Sequence, residues 1–224
     1  LFPYTTLFRS ILAVTIGMSD TIMVSSVSEA AVSGLSIVDT INILLINIFA
    51  ALATGGAVVC SQYLGSQDRK RACVAAKQLI LSTGFLAVII MVIALIGCTF
   101  ILQLVFPNVE SSVMWNAQTY FRISAWSYPF IALYNSGAAL FRSMGNSRIS
   151  MITSLFMNAF NIAGNAVLIY GFHMGVAGAA ISSLVSRILG SLFMLYLLRS
   201  PDNTIYIDDY RRLEFHPAMI RRIL

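Results

Sequence analysis

Long apolar stretches alternate with short polar ones along this chain. Apolar runs cover residues 11–27, 34–63, 78–106, 113–141, 149–171 and 176–198. Each is long enough to cross a hydrocarbon core about 30 Å thick as a helix. The pattern predicts an all-α, polytopic membrane protein with six spans, in which backbone polar groups are satisfied inside each helix. Pro129 inside the fourth run predicts a kink. The third run, with LAVIIMVIALIG, is the most uniformly apolar and is expected to face lipid.

The polar positions that interrupt these runs are the informative ones. In the fifth run, NAFNIAGNAVLIY sets Asn158, Asn161 and Asn165 at i, i+3 and i+7, on one stripe of a helix. An amide in a bilayer has no water to bond, so the stripe predicts a partner or a hydrated interior. The sixth run adds a small and polar row of Gly178, Ser182, Ser183, Ser186, Gly190 and Ser191, and the second run adds Ala53, Gly55, Gly56 and Ala57. Such rows let helices approach closely. Asn42 and Asn47 in the second run, and Tyr120 and Asn135 in the fourth, are further polar residues.

Charges inside the runs are few. Asp20 lies about 15 Å along the first helix counted from Ser10, near mid-bilayer. A carboxylate there is paired, protonated or turned to water; the alternative is that a truncated start displaces the span and leaves Asp20 at the interface. Asp39, near the start of the second run, reads equally as an interfacial carboxylate or as part of the interior. Arg187 in the sixth run either pairs with a carboxylate or snorkels to one end.

Composition agrees with the pattern: 58% of residues are hydrophobic, 10% are charged, and mean hydropathy is +0.83. A net charge of +5 would suggest nucleic acid in a soluble protein, but here it reports topology instead. Basic residues fall at Arg9, at Arg69, Lys70, Arg71 and Lys77, at Arg142 and Arg148, and from Arg199 to Arg222, while the intervening loops near 30, 110 and 173 hold none. Both ends are therefore expected on the cytoplasmic side of a cell membrane. Residues 1–10 fit no span and read as a truncated or non-native lead-in; residues 199–224 read as a cytoplasmic loop that stops at MIRRIL as another helix begins.

Cys60, Cys73 and Cys98 form no CxxC pair, and His173 and His216 are too few for a ligand set. No cofactor or metal site follows. GxSxG, HExxH and GxxxxGK[ST] are all absent, so the inventory is that of an ion or solute pathway and not of an enzyme.

Five segments in register resemble the multidrug and toxin extrusion (MATE) family: MSDTIMVSSV, ALATGGAVVCSQYLGSQD, ALFRSMGNSR, NAFNIAGNAVLIYGFHMGVAGAAISSLVS and MIRRIL. The resemblance implies twelve helices in two six-helix lobes, of which this chain is the amino-terminal lobe over 11–198, with the missing carboxy-terminal lobe as its partner. It also implies efflux of small organic cations or drugs in exchange for Na⁺ or H⁺, across the lipid bilayer and without nucleic acid. Asp20 matches the family's first-helix acid, the place of any bound Na⁺, and Asn161 matches a fifth-helix asparagine near it. Asn165 stands where some members have a second carboxylate and Ser183 where some have a threonine, so this pocket carries one negative charge fewer. Asn135, Tyr120, Asn158 and Asp39 are candidates to line the substrate cavity.

Two other readings compete. A lipid-linked oligosaccharide flippase of the same superfamily shares the lobe design but tends to carry several cavity cations, against Arg122 and Arg187 here. A non-transporting membrane scaffold would use the small-residue rows for assembly, and would leave Asp20 and the asparagines without a role.

Overall fold

The computed structural model describes residues 21–207. Helix fills most of them, and no strand occurs among them. A helical stretch at residues 21–25 is followed by α1 (Glu29–Gly65), α2 (Arg69–Val105), α3 (Ser111–Ala125), α4 (Tyr128–Ser143), α5 (Ser147–Asn165) with a π-helical turn at Ala166–Gly171, and α6 (Gly175–Leu198).

Two expected loops are helix instead. The polar residues at 28–33 and the basic run before residue 78 belong to helix ends, because their sequences are caps. Ser28 Oγ accepts from the Ala31 amide at 3.1 Å and Asp68 Oδ1 from the Arg71 amide at 3.0 Å. Only Ser66, Gln67 and Asp68 separate α1 from α2, with Gln67 in the left-handed region at φ 60°. Both helices consequently reach 37 residues.

The kink expected from Pro129 is a full break. α3 stops at Ala125, α4 begins at Tyr128, and Trp126 and Ser127 keep near-helical dihedrals, so α4 continues α3 as a second rod. Among the described residues, four helical segments are long and apolar enough to cross a membrane: Glu29–Gly65, Arg69–Val105, Ser147–Gly171 and Gly175–Leu198. The α3–α4 pair supplies two shorter rods in place of the expected fourth span. Most of the first expected span, residues 11–20, lies outside the described residues.

α1 packs against α2, α3 and α4, while α6 packs against α5, α4 and α3. Alanine dominates the contacts: Ala31, Ala87, Ala117, Ala125, Ala132 and Ala180 are all buried in one cluster. Small residues permit this spacing where the surrounding lipid is as apolar as any side chain. At Gly34 a Cβ would lie 2.9 Å from the Ala117 backbone nitrogen, so α1 and α3 touch there through their backbones. α2, the third expected span, leaves Phe85, Ile89, Ile93, Ile96, Phe100 and Leu104 exposed at three- and four-residue spacing, the apolar stripe that a lipid-facing helix would present.

Candidate functional site

The asparagine stripe and the serine row meet between α5 and α6. Gly164 makes the meeting possible: a Cβ there would fall on the Ser182 hydroxyl. With hydrogen in its place, Ser182 Oγ donates to the Asn161 backbone carbonyl at 2.7 Å, and Asn161 Nδ2 donates to Ser183 Oγ at 3.0 Å. Ser186, one turn on, donates to the Ser183 carbonyl at 2.9 Å. Asn161 and Ser183 are each 5% exposed and Asn165 is fully buried. Asn158 is only half-buried, so the stripe narrows to Asn161 and Asn165 where α6 covers it.

Asn161 Oδ1 is buried and finds no hydrogen-bond partner among the described residues. A buried amide oxygen without a donor is costly, and it is the kind of group that a metal cation or a protonated acid would satisfy. Directly after Asn165 the helix widens into the π turn, Ala166–Gly171. π turns are rare and cluster at functional sites. Asp20, the acid expected beside these amides, lies outside the described residues.

A second polar group surrounds the α3–α4 break. Tyr120 OH donates to Asp39 Oδ1 at 3.4 Å, which brings together two of the residues expected to line a cavity. Tyr128 OH donates to Asn42 Oδ1 at 3.0 Å, one helical turn from Asp39. Arg187 Nη1 donates to Ser127 Oγ at 2.6 Å, and Ser127 Oγ in turn donates to the Ser124 carbonyl at 2.6 Å. The guanidinium thus sits at the carbonyl end of α3, where the helix dipole favours positive charge. No ion pair joins it to Asp39 among the described residues; the Tyr120 hydroxyl meets that carboxylate instead. Arg187, expected either to pair with a carboxylate or to snorkel, instead hydrogen-bonds Ser127 at the α3–α4 break. Asn135 is half-buried, with its Nδ2 buried and without a hydrogen-bond partner among the described residues.

Sequence reasoning missed Ser127 and Tyr128 as polar partners. The signal was present in the break itself, since a proline that interrupts a membrane helix frees carbonyls that must find donors. Arg187→Gln is expected to destabilise the fold by about 1–3 kcal/mol, read as a lower melting temperature in detergent.

The MatE family model matches residues 6–167. The chain is 29% identical over 186 residues to a protein named "Uncharacterized transporter YisQ" from Bacillus subtilis (strain 168), covering 81% of this chain and 40% of that protein. It is 27% identical over 199 residues to "Probable multidrug resistance protein NorM" from Thermotoga maritima, covering 85% of this chain and 41% of the relative. Among solved structures, one described as "Outward-facing conformation of a multidrug resistance MATE family transporter of the MOP superfamily" shares its fold, with a TM-score of 0.89 at 20% identity over 98% of this chain and 48% of that one. The chain spans less than half the length of these relatives.

Proposed function

Because the chain belongs to the MatE family, a family of membrane transporters and not of enzymes, we propose that it forms the amino-terminal lobe of a drug efflux antiporter. In this reading, cationic or amphiphilic organic compounds leave the cell as Na⁺ or H⁺ enters, with Asp20, Asn161, Asn165 and Ser183 holding the coupling ion. The lobe sits in the cell membrane with both ends cytoplasmic, and a carboxy-terminal lobe completes the pathway. Asp39, Tyr120, Asn135 and Asn158 line the route on this side.

One observation carries the reading: the Asn161 amide is fixed by Ser183 while its own oxygen stays buried and unsatisfied among the described residues. A structural asparagine would spend both ends of its amide on the fold. Here one end is left for an ion or for the proton on a neighbouring acid. Coupling then requires that this load bind differently in the two states of the lobe, since a ligand shifts an equilibrium only by its differential affinity.

The test is ethidium efflux from cells or vesicles carrying the full-length protein, against imposed Na⁺ and pH gradients. Efflux that accelerates with one inward gradient supports the reading and assigns the ion. Dye retention equal to that of protein-free vesicles under both gradients overturns it.

A further inference from the structure

The nine residues that follow α6 are built into one end of the bundle. Two of them cap their own helix: Asn203 Nδ2 donates to the Leu197 carbonyl at 2.7 Å and the Ile207 amide to the Leu198 carbonyl at 3.0 Å. Ile205 and Ile207 are 0% and 3% exposed, in a cluster with Ala72, Ala76, Leu140 and Phe141. The Ile205 amide points at the Met144 sulfur, 3.2 Å away.

Arg69, the first residue of α2, closes the arrangement from the opposite side. Its Nε donates to the Thr204 carbonyl at 2.9 Å, and Nη2 donates to the carbonyls of Asn203 at 2.7 Å and Pro201 at 3.2 Å. The guanidinium also lies 5.1 Å from the Tyr206 ring centre. The fork and plane of an arginine can make all of these contacts at once, which a lysine cannot.

We infer that residues 199–207 are a strap that belongs to this lobe and travels with it, locked by Arg69, and that relative movement between lobes does not pass through this stretch. The movement itself rests on the transporter reading proposed above. Arg69 is then more than one member of a topology-setting basic run: among Arg69, Lys70 and Arg71 it alone is committed to three carbonyls of the strap, while Arg71 pairs with Asp68 at 3.3 Å.

Two measurements on the full-length protein test the strap separately from efflux. Amide exchange at Ile205 and Ile207, read by mass spectrometry in nanodiscs, is expected to accelerate about tenfold in Arg69→Ala and less in Arg69→Lys, because exchange tracks local opening. Equal exchange in Arg69→Ala and wild type overturns the lock, whatever the protein transports. Second, Met144→Cys and Ile205→Cys are joined by a short thiol crosslinker in a background with Cys60, Cys73 and Cys98 replaced by alanine. Efflux within about twofold of the uncrosslinked sample is expected, since the joined residues never separate. Loss of efflux on crosslinking, in a protein that transports before it, shows that the strap moves against the lobe and overturns the inference. Absence of efflux in the wild-type protein counts against the transporter reading and leaves the exchange result standing on its own.

Discussion

Asp20→Asn in the full-length protein is expected to abolish gradient-driven efflux, to the level of protein-free vesicles, while expression and melting temperature stay near wild type. The two side chains are nearly the same size, so packing is kept. What changes is that an amide neither takes up nor releases a proton, and holds a cation without a full negative charge. By the family resemblance, Asn165 and Ser183 stand where some members have a carboxylate and a threonine, so Asp20 is the acid on which the proposed site depends. An ion bound equally weakly in both states of the lobe moves neither equilibrium. Ethidium efflux under imposed Na⁺ and pH gradients measures this directly. Wild-type transport by the mutant would remove Asp20 from the mechanism.

Gly164→Ala is expected to give the second large loss, through geometry and not charge. The added methyl would occupy the position of the Ser182 hydroxyl, and Ser182 Cβ lies only 3.2 Å from it. Alanine favours helix over glycine by about 1 kcal/mol, but overpacking at a tight contact costs about 1–3 kcal/mol. Here the contact opposes it on α6, and the clash wins. α5 and α6 separate, Ser182 releases the Asn161 carbonyl, and the Asn161–Ser183 bond lengthens. Efflux is expected to fall about tenfold or more, as small displacements of site residues do elsewhere. Adding Ser182→Ala removes the hydroxyl and should recover a measurable part of both melting temperature and efflux. No difference between the single and double variants would show that the close approach at Gly164 is incidental.

The helices were legible because apolar runs of membrane length leave the backbone few alternatives. Their ends were not. Ser28 and the Asp68–Arg71 run look like solvated loop, yet a serine or aspartate before a helix is also a cap, and here the cap reading holds. The Asn161–Ser183 contact was foreshadowed by two polar stripes on consecutive spans joined by a short turn. Tyr120 and Asp39 were each visible as polar residues in apolar surroundings, but nothing local tells that residues 81 positions apart will meet. Arg187 posed a choice between a carboxylate and the membrane surface, and the structure adds a third partner, the broken end of α3, that exists only after Ser127 and Tyr128 have folded. The π turn after Asn165 left no mark in the pattern of apolar residues.

A 37-residue helix is about 55 Å long against a hydrocarbon layer about 30 Å thick. α1 and α2 therefore have turns to spare beyond the lipid and can slide by several ångströms as the host membrane thickens or thins. α6, with 24 residues and about 36 Å, has little such reserve. Hydrophobic mismatch in a thicker bilayer is thus felt first by α6 and by the similarly short span Ser147–Gly171, the two helices that carry Asn161, Ser182 and Ser183. Lipid chain length becomes a lever on the polar interior that leaves the two longest helices largely indifferent.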